Sequence, residues 1–128
     1  MRIISGSKKS ISIRAPKDIP SRPTTNKVKE SLFNIIINRF NINEIRVLDL
    51  FAGTGNISFE FASRGTKKII SVDNNLKCIK FIKETSAQHG FDIIAKRKNY
   101  IDFLMKNDEN FDIIFADPPY LFSKDKYF

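Results

Sequence analysis

Much of what a chain could use for chemistry is missing here. One cysteine, Cys78, leaves no partner for an internal disulfide and no cysteine-rich metal site. The lone histidine, His89, stands just before Gly90, so a histidine-based metal site or triad has too few members; the residue reads as a polar group at a helix end. Tryptophan is absent, and the five glycines are too few for a repetitive or glycine-rich segment. No stretch of ~18 apolar residues occurs, which argues against a membrane span. The opening Met1-Arg2-Ile3-Ile4-Ser5-Gly6 lacks the apolar run and cleavage site of a secretory signal, so a cytoplasmic protein is expected. No metal is called for.

What is present fits one α/β domain or most of one. The chain has 128 residues, 41% of them hydrophobic, enough for a modest core. Lysine and arginine number 22 against 14 acids, a net charge of +8. That excess suits a polyanionic partner, or it is the solvated surface of a lysine-rich composition. Its placement is more informative. Ile3-Ile4 and Ile11-Ser12-Ile13 flank Gly6-Ser7-Lys8-Lys9-Ser10, the pattern of a two-stranded hairpin decorated by Arg2, Lys8, Lys9 and Arg14. Pro16, Pro20 and Pro23 then mark an extended segment, giving an N-terminal region over residues 1–24 and a main domain over 25–128.

From there hydrophobic spacing alternates between two periods. Residues 26–38 read as an amphipathic helix, with Val28, Leu32, Ile35 and Ile36 on its apolar face and Thr25 or Asn26 as its cap. Strands are expected at 45–50, 68–72, 92–96 and 111–116, and helices at 56–65, 74–89 and 101–105. The second helix is ambiguous, because Ile57, Phe59 and Phe61 also alternate as in a strand. Gly65 as a helix stop, and the crossover that two parallel strands need, favour helix. In the third helix Leu76, Ile79 and Ile82 should face inward. The resulting β-α-β-α-β-α-β order predicts a Rossmann-like parallel sheet with helices on both faces.

The chemistry-bearing residues fall at the ends of these strands, where open α/β sheets bind ligands. Asp49-Leu50-Phe51-Ala52-Gly53-Thr54-Gly55 ends the first strand in a carboxylate and a glycine turn. Ser58 occupies the position where a dinucleotide fingerprint has its third glycine, which argues against a nicotinamide oxidoreductase. A carboxylate before the turn suits a cationic ligand. Asp73 ends the second strand, where a ribose-binding carboxylate would stand; it could instead cap the next helix. Asn99 and Tyr100 follow the third strand and could meet the edge of a base. The fourth strand runs into Phe115-Ala116-Asp117-Pro118-Pro119-Tyr120. Two prolines fix the backbone, so the Asp117 carboxylate and the Pro118 carbonyl can together accept both hydrogens of an exocyclic amine, and Tyr120 can stack on the base that carries it. Otherwise the stretch is a strand end with a surface acid.

The D-x-F-A-G-x-G and D-P-P-Y stretches resemble those of class I S-adenosylmethionine-dependent amino-methyltransferases. Met1-Arg2-Ile3-Ile4-Ser5-Gly6, Ser21-Arg22-Pro23-Thr24-Thr25, Val28-Lys29-Glu30-Ser31-Leu32-Phe33-Asn34 and Ser63-Arg64-Gly65 narrow the resemblance to the RsmD family, which methylates a guanine N2 in small-subunit ribosomal RNA. The resemblance implies S-adenosyl-L-methionine as cofactor, with Asp49, Phe51, Ala52, Gly53 and Gly55 around its methionine part. It implies Asp73 on the ribose, Asn74 beside the adenine, and Asn99, where the family has Asp, toward the adenine amino group; Tyr100 is grouped with them. Asp117, Pro118, Pro119 and Tyr120 are the implied catalytic set. Arg22, Pro23 and Thr24 would close over cofactor and base, and Arg2, Lys8, Lys9, Arg14 and Arg22 would contact RNA. The implied partner is ribosomal RNA or the small subunit, the implied state a monomer. Family members continue beyond the equivalent of Phe128, so further C-terminal strands are expected to be missing from this sequence. Adenine-N6 methylation, or a non-catalytic RNA-binding remnant, are the alternatives.

Overall fold

The computed structural model describes residues 1–19 and 24–118. Arg22, Pro23, Pro119 and Tyr120 lie outside the described residues. Four parallel strands alternate with helices: α1 (Asn26–Arg39), β1 (Arg46–Asp49), α2 (Asn56–Ser63), β2 (Lys68–Asp73), α3 (Leu76–His89), β3 (Ile93–Arg97), α4 (Tyr100–Lys106) and β4 (Ile113–Phe115). The sheet order is β3-β2-β1-β4. The chain steps outward from β1 to β3 and then returns to the other flank of β1. The gap between β1 and β4 is therefore the point where the winding reverses, the place where such sheets open a crevice at their carboxyl ends.

Burial explains why each strand reads as it does. β1 and β2 are covered on both faces, and Val47, Leu48, Ile69, Ile70 and Val72 are all buried. The edge strands β3 and β4 are only partly buried. On one face Val47 and Ile69 pack with Phe33, Ile36, Ile57 and Phe61 of α1 and α2. Further along the same face Ala95 joins Ile79 and Ile82 of α3 and Phe59 of α2. The other face carries Leu48, Ile70 and Val72 against Phe103 of α4. Helices thus lie on both faces, three on one and one on the other.

Several expectations shift. In α1 the buried residues are Lys29, Phe33 and Ile36, whereas Val28 and Ile35 are more than half exposed. The helix is turned by about one position, because a lysine takes the first place of its buried stripe. Leu76, expected inward, is 44% exposed at the first position of α3. That helix starts at Leu76 rather than Asn74, since the Asn75 side chain caps it by accepting from the Cys78 N–H at 3.1 Å. The N-terminal hairpin is minimal: a single antiparallel bridge joins Arg2 and Ser12, with Ile13 N–H donating to Met1 O at 2.8 Å and Ile3 N–H to Ile11 O at 3.0 Å. Among the described residues no helix is long and apolar enough to cross a membrane.

This N-terminal arm is held by α2, which is buried on almost every side. Near the start of α2, the carbonyl of Arg2 shares the Lys29 ammonium with Asn56. At its middle, the Glu60 carboxylate accepts from the Ile4 and Ser5 N–H groups at 2.9 and 3.1 Å. At its end, Ser7 N–H donates to Ser63 O and Lys8 N–H to Ser63 Oγ. Serving as a core helix for both the sheet and the arm is why its sequence shows no clean polar face.

Candidate functional site

The carboxyl ends of all four strands collect at one end of the sheet. Asp49 pairs in register with Phe115 of β4 and with Ser71 of β2. Two further ladder-like bonds extend the β1 tip, from Leu50 N–H to Phe115 O and from Ala52 N–H to Val72 O, each 2.9 Å. Asp117, two residues past Phe115, therefore stands beside the end of β1, and Asp73 ends the strand on its other flank. The strand ends bring the three candidate carboxylates Asp49, Asp73 and Asp117 together.

The glycine turn is built by backbone conformations that side chains resist. Gly53 and Gly55 both have positive φ, 56° and 87°. A Cβ on Gly55 would lie 2.9 Å from Ile82 Cγ1 and 3.0 Å from the Phe59 ring, so that residue lets α2 and α3 close beneath the turn. A Cβ on Gly53 would meet nothing within 4 Å, so its backbone faces open space. The Gly53 N–H donates to Asp73 Oδ2 at 2.9 Å, and Asn75 N–H donates to Asp73 Oδ1, also at 2.9 Å. Asp73 thus latches the turn to the tip of β2, and the helix cap is Asn75 instead. An ionised carboxylate offers about four acceptor positions. The two that remain on half-buried Asp73 suit a pair of vicinal hydroxyls.

Asp49 is 1% exposed beneath the turn. Ser58 Oγ donates to its Oδ2 at 2.6 Å and lies 2.6 Å from Ser71 Oγ. A hydroxyl has one proton, and the carboxylate takes it, so Ser71 donates to Ser58. Burial pushes the Asp49 carboxyl up from 3.8 to about 6; the Ser58 hydroxyl and N–H oppose that rise, and the charges of Asp73 and Asp117 add to it. The position where a dinucleotide site needs glycine carries a serine that holds this acid in place. The sequence registered the missing glycine but not the reason for the hydroxyl, which only the β1–β2 register reveals.

A stability profile follows. Between pH 3.8 and about 6 the folded chain holds a proton on Asp49 that the unfolded chain has released, so this group's contribution falls as pH rises through that window. The full cost, about 3 kcal/mol, persists above it. Asp49→Asn should therefore unfold at higher urea than the parent at pH 7.5 and at a similar concentration at pH 4. Equal midpoints at pH 7.5 would contradict the burial argument.

The other candidates occupy the rim. Phe51 and Tyr100 pack with ring centroids 5.1 Å apart, joining the tips of β1 and β3. Asn99 caps α4, its Oδ1 accepting from Ile101 N–H at 2.8 Å. Asn74 is exposed, and its carbonyl accepts from Arg97 Nε at 3.2 Å. Asp117 is exposed and Pro118 half-buried. The basic candidates divide. Arg2, and Arg14 next to the Met1–Ile13 pairing, lie toward the head of α2. Lys8 and Lys9 lie by its tail, about 10 Å away along the helix. Among the described residues no group of three or more His, Cys, Asp or Glu side chains could hold a metal ion.

Comparison with known proteins agrees with this geometry. Residues 1–127 match the family described as conserved hypothetical protein 95. "Putative rRNA methyltransferase YlbH" of Bacillus subtilis is 40% identical over 125 residues, covering 94% of this chain and 67% of that protein. "Ribosomal RNA small subunit methyltransferase D" of Buchnera aphidicola subsp. Baizongia pistaciae is 35% identical, covering 94% and 61%. The solved structure of "Putative methyltransferase yhhF from Escherichia coli" superposes with a TM-score of 0.83 at 27% identity, over 94% of this chain and 65% of that one. The chain therefore spans roughly three-fifths to two-thirds of these proteins' lengths, and its fold is that of class I methyltransferases.

Proposed function

Since the chain belongs to the conserved hypothetical protein 95 family, the RsmD family, we propose that it carries the cofactor and amine sites of a ribosomal RNA methyltransferase acting on a guanine N2. One observation carries the reading: a glycine turn latched to Asp73 and a tip bearing Asp117-Pro118 lie on adjacent parallel strands across the winding reversal. S-adenosyl-L-methionine would supply an activated methyl group on a cationic sulfur. The residues present fit it. Asp73 keeps acceptor capacity for ribose hydroxyls, Gly53 presents open backbone, and three carboxylates make a locally negative end on a chain of net charge +8. Asp49, Phe51, Ala52 and Gly55 would line the methionine part, and Asn74, Asn99 and Tyr100 the adenine side.

The acceptor nitrogen is a weak nucleophile, because its lone pair is delocalised into the ring. Asp117 and the Pro118 carbonyl would accept its two hydrogens, favouring a pyramidal nitrogen with its lone pair directed away from them. Transfer would break the sulfur–methyl bond and leave a neutral thioether, while positive charge would grow on the nitrogen, where the Asp117 carboxylate would stabilise it until the nitrogen gives one of its hydrogens to solvent as a proton. The base must leave its stack, at a cost of a few kcal/mol, and Tyr120 would offer a replacement surface. Arg2 and Arg14 would hold phosphates near the crevice and Arg22 would add a further phosphate contact, with Lys8 and Lys9 reaching a more distant stretch of the same polyanion.

The test offers the chain radiolabelled S-adenosyl-L-methionine with immature small ribosomal subunits, bare ribosomal RNA or duplex DNA, and identifies the methylated nucleoside. N2-methylguanosine in RNA is expected. N6-methyladenosine would transfer the clamp to the adenine chemistry. RNA binding with no cofactor heat in calorimetry would reduce the chain to an RNA-binding remnant.

A further inference from the structure

The acid beneath the glycine turn is held by a chain of three buried side chains. Asp49, Ser58 and Ser71 are 1%, 0% and 0% exposed. Ser71 Oγ lies 2.6 Å from Ser58 Oγ, which lies 2.6 Å from Asp49 Oδ2. The Ser58 N–H also donates to the carboxylate. Gly55 gives α2 no side-chain cap, so Asp49 does for an N–H of the first turn what a capping side chain does elsewhere, from nine residues away in sequence. Each hydroxyl of the chain polarises the next, and a hydroxyl that donates to a carboxylate favours its charged form. Among the described residues that charge has no cationic partner. The charged groups that act on it are both acids, Asp73 of β2 and Asp117 beyond β4. On the α3 side the Cys78 thiol, pushed up to about 11 by burial, stays neutral. A buried charge without a counter-charge costs stability, so its retention by two hydroxyls fits a cationic ligand at the turn.

We propose that Ser58, backed by Ser71, is a positioning residue for the cofactor: its hydroxyl keeps the Asp49 carboxylate charged beneath the glycine turn, where that charge attracts the cationic methyl donor. This rests on the methyltransferase reading. Asp49 is too buried for open contact, so it acts across the turn, through an interior where a charge is felt over several ångströms. Ser58 itself touches no ligand. Its effect runs through the ionisation of Asp49, so it should follow pH and should vanish for a ligand without positive charge.

Ser58→Ala removes the hydroxyl and keeps the helix, which alanine favours. Ser71→Ala removes only the donor behind it and leaves the bond from Ser58 to Asp49. In the ligand-free chain the Asp49 carboxyl carbon, followed by NMR, should titrate at about 6 in the parent and about one pH unit higher in Ser58→Ala, with a smaller rise in Ser71→Ala. Calorimetry should then show the affinity for S-adenosyl-L-methionine rising with pH through the same midpoint in each chain. Ser58→Ala should bind about threefold more weakly than the parent at pH 6.5 and within about twofold of it at pH 8.5. 5′-Methylthioadenosine, which carries the adenosine without the positive charges, should bind both chains alike. An Asp49 midpoint unmoved by Ser58→Ala overturns the proposal. So does a moved midpoint that the affinity for S-adenosyl-L-methionine does not follow. An equal loss for 5′-methylthioadenosine overturns it too, because a merely structural role would weaken both ligands. A parent that binds no S-adenosyl-L-methionine at any pH refutes the methyltransferase reading and the cofactor role with it, while the titration still decides whether Ser58 holds the charge on Asp49.

Discussion

Asp117→Ala should slow methyl transfer by about 10²–10³-fold, while S-adenosyl-L-methionine binds within a factor of about three of the parent. The split follows from position. Asp117 lies two residues beyond the Asp49–Phe115 pair that closes the β1–β4 ladder, and its side chain is exposed, so its removal breaks no sheet bond and opens no cavity. The turn and its latch, Gly53 N–H to Asp73, are untouched. On the proposed mechanism what disappears is a charge placed where positive charge would develop, and such groups are worth about 3–4 kcal/mol of barrier when removed. Asp117→Asn, which keeps an oxygen acceptor but loses the charge, should fall between the two. Single-turnover transfer at saturating cofactor and RNA reads the chemical step directly. An alanine variant within about fivefold of the parent rate would take the carboxylate out of the reaction.

The features that place this site were legible where local sequence determines local geometry. The glycine turn, the carboxylates at strand ends and the alternation of strand and helix all follow from short-range chemistry, and the parallel sheet with its β1–β4 adjacency is what that alternation builds. The face of α1 was not legible, because apolar spacing points to Val28 and Ile35 while the structure buries Lys29 between them. No periodicity argument puts a lysine in a core. Its partner, Glu60, lies 31 residues further along, on a helix that itself reads ambiguously. Ser58 shows the same limit: its hydroxyl makes sense only once β2 brings Ser71 beside Asp49. The basic candidates formed one set in the sequence. The arm's path along α2 divides them between the two ends of that helix, a consequence of contacts more than 50 residues apart.

The buried network around Glu60 should be far more sensitive to loss of the acid than of the lysine. Glu60 is fully buried and accepts from the N–H groups of Ile4 and Ser5 and from Arg64 Nε at 2.7 Å, besides its 3.2 Å contact with Lys29. Burial alone would raise its carboxyl, but the Ile4 N–H, Arg64 and Lys29 outweigh that and hold it below the ordinary range. Lys29→Met therefore leaves an acid that still has Arg64 and two backbone donors, and should cost about 1–2 kcal/mol. Glu60→Ala instead leaves the Lys29 ammonium buried without a counter-charge and the arm without its central acceptor, which should cost about 3–5 kcal/mol. The two variants should also differ with pH. Burial already lowers the Lys29 ammonium from its usual value of 10.5, and loss of Glu60 lowers it further. In Glu60→Ala the folded chain then holds fewer protons than the unfolded one over the interval below 10.5, so its stability deficit should narrow as pH rises toward 10. Urea denaturation of both variants at pH 7 and pH 9.5 measures each part. Equal losses for the two substitutions, or a Glu60→Ala deficit that does not change with pH, would mean that the ammonium reaches water once its partner is gone.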